Sequence, residues 1–173
     1  MYKVNFPKKR YERTFDFLSG VISKNEKILD LGVKNPFAER LKKAGFKVTN
    51  TQGEDLDTDS TAVQVETYDV LTAFEILEHL LNPFTVLKQS RAKKLVASVP
   101  LRLWFASAYC NTGDPLDRHY HEFEDWQFDW LLEKTGWRIK KRDTFTNPVK
   151  KIGFRPILRR FTPRYYLVYA ERD

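Results

Sequence analysis

Three short apolar runs, separated by segments with helical patterns, constrain the fold of this chain more than any other feature. The runs are KILDL (27–31), TYDVLTAF (67–74) and KLVASVP (94–100), and apolar side chains occupy both alternating positions in each. This pattern is typical of strands that are covered on both faces of a sheet. The alternation with helical segments therefore predicts an α/β fold, an open, mainly parallel twisted sheet with helices on both faces.

The remaining elements follow from periodicity and from helix start and stop residues. Apolar residues recur at helical spacing in residues 11–23, and Pro36 suits the first turn of a helix that ends at Gly45. The other predicted elements are a strand FKVTNT (46–51), a helix EILEHLL (75–81) ending near Pro83, a helix from about Glu124 to Lys134 closed by Gly136, and strands WRIKKRDTF (137–145) and YYLVYAE (165–171).

Size and composition indicate one globular domain. With 173 residues, of which 42% are hydrophobic, the chain can bury a single core. No apolar run approaches the roughly 20 residues of a membrane-spanning helix, and the basic N-terminus does not resemble a secretory signal, so a cytoplasmic location is expected. The single cysteine, Cys110, excludes an internal disulfide and a cysteine-cluster metal site.

The charge of the chain is high and unevenly distributed. The formal net charge of +7 favours a polyanionic partner such as nucleic acid, anionic lipid or a phosphorylated small molecule. Basic and aromatic residues are mixed in RIKKRD (138–143) and KKIGFRPILRR (150–160), whereas the segment 52–78 is acidic. A lysine-rich solvated surface would give the same composition, so the charge alone leaves both interpretations open.

The segments that follow the predicted strands resemble the class I S-adenosylmethionine (SAM) dependent methyltransferases. The matching motifs cover nearly the whole chain in the order of the family: KILDLG (27–32), YDVLTAFEILEHLLNP (68–83), LVASVP (95–100) and RHYHEFEDWQFDWLLEKTGW (118–137). The resemblance implies a Rossmann-like sheet with an antiparallel C-terminal strand. In such sheets the ligand lies beyond the carboxyl ends of the strands, where the strand order reverses.

The resemblance also divides the single domain 1–173 into three parts. It implies a helical cover (1–25), a cofactor-binding half (26–100) and a substrate-side part (101–173) with a loop, a helix and the C-terminal strands. The loop from Tyr109 to His121 is long and polar and is expected to cover the substrate.

The resemblance implies a SAM site at the ends of the first, second and fourth strands of the family. The acid that ends the first strand, here Asp30, organises the loop and the SAM head group in the family. Gly32 lets the backbone approach the cofactor, because a Cβ atom there would occupy cofactor space. The other positions that the resemblance assigns to the cofactor are Leu31, Gln52, Glu54, Asp55, Phe74 and Glu75.

Two regions depart from the family pattern. Lys34 and Pro36 stand in place of the later glycines of Gly-x-Gly-x-Gly, and Gln52 stands where the family usually has an acid for the ribose hydroxyls. Glu54 or Asp55 is the candidate for that ribose contact, and a solvated acidic loop is the alternative. These departures also leave open a degenerate member of the fold that serves as a binding or regulatory module.

The E-x-x-E-H block formed by Glu75, Glu78 and His79 is a candidate metal site. On a helix this spacing would point all three side chains to one face, and the mixed oxygen and nitrogen ligands suit Mg²⁺, Mn²⁺, Fe²⁺ or Zn²⁺. The block resembles that of the ubiquinone-biosynthesis O-methyltransferases and the small-RNA 2′-O-methyltransferases, and the RNA branch implies His121 as a fourth ligand beside His119. The alternative is a family member without metal, whose glutamates face solvent.

The resemblance implies methyl transfer from SAM to an oxygen or nitrogen atom. A metal would lower the pKa of the attacking hydroxyl. Without a metal, His121, His79 or Glu122 is the candidate general base. A small, possibly anionic, molecule is the expected substrate, and RNA bound by the basic C-terminal flank is the alternative.

Overall fold

The structure, a computed structural model, describes residues 8–148 and 152–173. Its strands are β1 (Lys27–Asp30), β2 (Lys47–Asn50), β3 (Val70–Phe74), β4 (Lys94–Pro100), β5 (Arg138–Thr146) and β6 (Pro163–Glu171), and its α-helices are α1 (Lys8–Ser19), α2 (Pro36–Lys43), α3 (Pro83–Gln89), α4 (Asp125–Lys134) and α5 (Phe154–Leu158).

The strands form one sheet in the order β2-β1-β3-β4-β6-β5. Strands β1 to β4 pair in parallel, and β6 lies antiparallel between β4 and β5. This confirms the predicted open, mainly parallel sheet with an antiparallel C-terminal strand. The strand order reverses between β1 and β3, so the carboxyl ends of these strands border the crevice in which this type of sheet binds ligands.

Apolar side chains alternate between two cores, one on each face of the sheet. Ile28 and Val70 pack in the core that includes α1 and α2, whereas their neighbours Leu29 and Leu71 pack in the core that includes α3 and α4. Each fully buried side chain of this kind contributes about 1.5–3 kcal/mol to folding. Helices therefore cover both faces, as the apolar strands predicted.

The caps of α2 and α4 lie close to where the sequence predicts them. The side chain of Asn35 accepts two backbone N–H hydrogen bonds, of 2.9 and 3.0 Å, at the start of α2. Glu124 and Gln127 form a capping box at the start of α4. Gly45 and Gly136, each with φ of 93°, follow the two helices. These caps fix the amino terminus of α2 beside the crevice.

The predicted helix over 75–81 is wrong. Glu75 has a φ of 56°, in the left-handed region, and only a short 3₁₀ turn forms at Leu77–His79. The α-helix starts later, because Asn82 caps it and Pro83 occupies its first turn. The E-x-x-E-H block therefore lies on a tight turn between β3 and α3, and helical spacing does not determine where its side chains point.

Helix α1 is shifted relative to its prediction. It spans Lys8–Ser19 instead of 11–23, because Gly20 follows it with backbone hydrogen bonds typical of a helix end. Within residues 8–148 and 152–173, no helix has the length and apolarity that are needed to span a bilayer.

Candidate active site

A cavity of about 590 Å³ lies at the carboxyl ends of the parallel strands. The ends of β1, β3 and β4 form its floor, α1 and the amino terminus of α2 border it, and the loop after β4 and the start of β6 close its other side. Residues from the whole length of the chain therefore meet at the carboxyl ends of the strands, where this type of sheet binds ligands.

Asp30 ends β1 below this cavity and is held by the neighbouring strands. Its carboxylate accepts a 2.6 Å hydrogen bond from the Thr72 hydroxyl and a 2.9 Å bond from the side-chain amide of Asn50. The side chain is 2% exposed, and burial raises its pKa to about 6 even though both hydrogen bonds lower it. Asp30 thus anchors the turn after β1 from inside the protein.

Gly32 gives this turn its shape. Its φ is 95°, and a Cβ atom on it would lie 3.2 Å from the Ile76 side chain. Its N–H donates a 2.8 Å hydrogen bond to the Thr51 hydroxyl at the end of β2. Glycine is therefore required both by the left-handed backbone and by the close approach of the turn after β3.

Lys34 and Pro36, which replace the later glycines of the family loop, do not line the cavity. Lys34 forms a 3.1 Å ion pair with Glu39 on the outer side of α2, and Pro36 lies in the first helical turn. Their neighbours Val33, Asn35 and Phe37 line the cavity instead. The departure from the glycine pattern consequently leaves the cavity open.

The acids predicted to hold the ribose do not line the cavity. The carboxylate of Glu54 accepts a 2.6 Å hydrogen bond from the backbone N–H of Gln52, and Asp55 accepts one of 3.0 Å from its own loop. Gly53, between Gln52 and Glu54, packs on Val33, since a Cβ atom there would lie 2.9 Å from the valine side chain. The loop after β2 therefore borders the cavity through Val33, while its acids point elsewhere.

Phe74 and Glu75 do line the cavity, together with Asp30, Leu31 and Gly32. Of the predicted cofactor residues, these five are brought together, and Gln52, Glu54 and Asp55 are not.

Glu75 is held between β4 and α1. Its carboxylate accepts a 2.8 Å hydrogen bond from the Ser98 hydroxyl and pairs with Arg10 at 3.3 Å. Burial raises the pKa of Glu75, against the opposing charge of Arg10. The Arg10 guanidinium also lies 5.4 Å from the ring centre of Tyr165 on β6. Sequence reasoning did not single out Arg10 or Tyr165, because their contacts join the two ends of the chain.

Glu78, His79 and His119 form a cluster at the edge of the cavity. One potential ligand atom from each residue lies within 4.8 Å of the others. Glu78 is 1% exposed, and its Oε2 atom has no hydrogen-bond partner among the described residues; the buried Nδ1 atom of His119 has none there either. Buried polar atoms without a partner are costly unless something else binds them.

Electrostatics favour the neutral forms of Glu78 and His119. Burial, reinforced by the nearby charge of Glu75, raises the pKa of Glu78 well above its ordinary value. Burial and the proximity of His79 lower the pKa of His119, so its imidazole is neutral at neutral pH. The Nδ1 atom of His79 lies 2.9 Å from the Arg118 carbonyl oxygen, and its Nε2 atom lies 3.8 Å from Oε1 of Glu78. A neutral imidazole is the form that binds a metal or accepts a proton.

His121 and Glu122 lie outside this cluster and do not line the cavity. The His121 ring stacks on Phe123 with centres 5.5 Å apart, and Glu122 accepts a 2.6 Å hydrogen bond from the Tyr109 N–H. Of the predicted metal set Glu75, Glu78, His79 and His121, the structure thus groups only the middle two, and it adds His119. Backbone hydrogen bonds from residues 120 and 121 to the Glu78 carbonyl fix which of the two histidines lies beside Glu78. The sequence does not reveal these bonds.

Solved structures with the same architecture cover nearly the whole chain. A SAM-dependent methyltransferase from Archaeoglobus fulgidus aligns with a TM-score of 0.67 and 16% identity over 95% of this chain and 94% of its own. The 1,6-didemethyltoxoflavin-N1-methyltransferase of Burkholderia thailandensis, solved with 1,6-didemethyltoxoflavin and S-adenosylhomocysteine, aligns with a TM-score of 0.65 and 16% identity over 96% and 80%. The [4+2]-cyclase SpnF aligns with a TM-score of 0.61 and 10% identity over 100% and 85%.

A scan against protein-family models and a search of curated protein sequences gave no match. Identities of this size establish the architecture only. By its strand order and these structural relatives, the chain has the fold of the class I SAM-dependent methyltransferases.

Proposed function

We propose that this protein is a SAM-dependent methyltransferase that transfers the methyl group to an oxygen or nitrogen of a small molecule. The observation that carries the proposal is the cavity at the β1 and β3 ends, which Gly32 and Glu75 line. Its volume of about 590 Å³ is within the range of about 300–1,000 Å³ that is usual for small-molecule sites.

The cofactor is assigned to the part of the cavity formed by residues 26–100. Gly32 allows a ligand to approach the backbone, and Phe74 provides an apolar wall next to it. The carboxylate of Glu75, which also pairs with Arg10, can accept a hydrogen bond from the SAM ammonium group. The ribose hydroxyls are left without a carboxylate partner from the loop after β2, so we expect weaker cofactor binding than the family pattern would give.

The substrate is assigned to the opposite part, formed by α1 and residues 101–173. Arg164, Tyr165 and His119 line this side of the cavity. Tyr165 and His119 provide hydrogen-bonding groups. The positive charge of Arg164 shares this side with the carboxylates of Asp114 and Asp117, which favours a polar substrate rich in hydroxyl groups. Neutral His119 can accept the proton of the attacking group.

The cluster of Glu78, His79 and His119 also fits one divalent cation. The fit rests on the unpartnered Oε2 and Nδ1 atoms and on the single carboxylate and two imidazoles, a set that suits Zn²⁺, Fe²⁺ or Mn²⁺. When bound, such a cation would act as a Lewis acid that lowers the pKa of a substrate hydroxyl. Without it, His119 alone would carry the proton.

Calorimetric titration with S-adenosylhomocysteine tests the cofactor assignment. We expect one binding site per chain with micromolar affinity. Absence of heat at millimolar ligand would overturn the proposal. It would favour the alternative of a fold that works without the methyl donor as a binding module, which the position of Gln52, Glu54 and Asp55 outside the cavity motivates.

A further inference from the structure

The segment from Ile152 to Phe161 exposes large apolar side chains to solvent. Ile152, Phe154, Ile157 and Phe161 are 106%, 72%, 54% and 79% exposed. Backbone hydrogen bonds continue the helical path of α5 as far as Thr162. On a helix, positions 154, 157 and 161 follow the i, i+3, i+7 spacing and share one face. Four exposed apolar side chains in ten residues are unusual for a surface that meets only water.

Arginines border this apolar face on both sides. At about 100° per residue, Arg155 and Arg160 lie on opposite flanks of the face, and Arg159 lies on the side away from it. Within the described residues, no carboxylate pairs with any of these three arginines. The sequence has no acidic residue between Asp143 and Glu171. No acidic residue of this segment therefore offsets the charge of its arginines.

An anionic lipid bilayer fits this combination better than RNA does. A helix with an apolar face bordered by Lys or Arg binds in the plane of the membrane interface, with its apolar side chains below the headgroups. Anionic headgroups then contact the flanking arginines. RNA would use the arginines, but exposed aliphatic side chains such as Ile152 and Ile157 provide neither stacking nor hydrogen bonds to bases.

The apolar face lies beside the cavity. Strand β6 begins at Pro163, directly after this segment, and its next residues, Arg164 and Tyr165, line the cavity. We propose that residues 152–161 dock the protein on an anionic lipid bilayer, with Phe154 and Phe161 inserted between the lipids. The docked orientation places the cavity at the membrane surface. This docking requires no methyl transfer, so it can be tested separately from the proposed function.

Sedimentation of the full chain with lipid vesicles tests the docking. We expect binding to vesicles of phosphatidylcholine mixed with phosphatidylglycerol, and at least tenfold weaker binding to phosphatidylcholine alone. The double variant Phe154→Ser/Phe161→Ser should bind the mixed vesicles at least tenfold more weakly. The control Trp130→Ser, an exposed aromatic residue on α4, should bind like the wild type.

A second pair of variants separates local charge from net charge. Replacing Arg155, Arg159 and Arg160 with Glu should abolish vesicle binding. Replacing Lys24, Lys93 and Lys140 with Glu makes the same change in net charge near the amino ends of β1, β4 and β5, at the other end of the strands, and it should retain most of the binding.

Three outcomes would overturn the docking. These are equal binding to neutral and anionic vesicles, wild-type binding by the Phe154→Ser/Phe161→Ser variant, and binding to a single-stranded RNA without binding to vesicles. The last outcome would assign the surface to RNA. Circular dichroism of each variant establishes that it is folded.

Discussion

The buried carboxylate of Asp30 is expected to make folding stability decrease as the pH rises. Burial raises the pKa of Asp30 from 3.8 to about 6. Between these values the folded protein retains a proton that the unfolded chain has lost. The contribution of Asp30 to folding stability is therefore highest below the lower pKa, and it falls until the pH passes the upper one. The shift corresponds to about 3 kcal/mol of unfolding free energy.

The substitution Asp30→Asn isolates this contribution, because the asparagine is similar in shape and does not titrate. The Thr72 hydroxyl can still donate to the new carbonyl oxygen. The Asn50 amide, whose Oδ1 atom has no partner among the described residues, can rotate to accept from the new N–H group. We therefore expect the variant to fold.

Urea unfolding from about pH 4 to pH 7 measures the difference between the two proteins. The wild type should lose about 2.4 kcal/mol relative to Asp30→Asn across this range, because a small part of the loss has already occurred at pH 4. The variant Asp16→Asn, on α1, controls for loss of a carboxylate elsewhere and should follow the wild type. Parallel curves for wild type and Asp30→Asn would refute the reasoning, because Asp30 would then titrate alike in the folded and unfolded chains.

Three further predictions follow from the site. Arg10→Met should lower the unfolding free energy by about 3 kcal/mol at neutral pH, since it removes the ion-pair partner of the buried Glu75 carboxylate. In urea unfolding, this loss should become smaller at acid pH, where Glu75 is neutral. A loss independent of pH would contradict the pairing. Mn²⁺ or Zn²⁺ at about 100 times its Kd should raise the Tm by about 5–10 °C. The variant Glu78→Gln should lose this rise, and the control Glu12→Gln should keep it. No rise in the wild type would argue against a metal site. Asn35→Ala should lower the Tm by about 2–4 °C in a thermal melt, because the α2 cap is worth about 1 kcal/mol, and an unchanged Tm would show that the cap contributes nothing.

The architecture could be predicted from sequence because it depends on patterns along the chain. Apolar runs marked β1, β3 and β4, and Pro36 and Gly136 marked the ends of helices. The helix predicted over 75–81 failed for a local reason, because EILEHLL has good helical propensity but Glu75 takes a left-handed backbone conformation where it accepts bonds from Ser98 and Arg10. Tertiary contacts override propensity at such turns.

The site could be predicted only in part, because tertiary contacts also decide which side chains meet there. Asp30 and Gly32 lie at the end of a strand, so the topology alone places them at the crevice. The choice between His119 and His121 depends on the hydrogen bonds that residues 120 and 121 make to the distant Glu78 carbonyl. Contacts of this kind are set by the folded chain and have no signature in local sequence.

The most direct test of the account compares two glycine variants in their binding of S-adenosylhomocysteine. Gly32 and Gly136 have nearly equal φ values, 95° and 93°, so Gly32→Ala and Gly136→Ala carry similar backbone strain, and Gly32→Ala adds a 3.2 Å contact with the Ile76 side chain. Only Gly32 lines the cavity. Calorimetric titration should show at least tenfold weaker binding for Gly32→Ala and wild-type affinity for Gly136→Ala. Equal affinity in both variants, or loss of affinity in both, would contradict a cofactor site at the turn after β1.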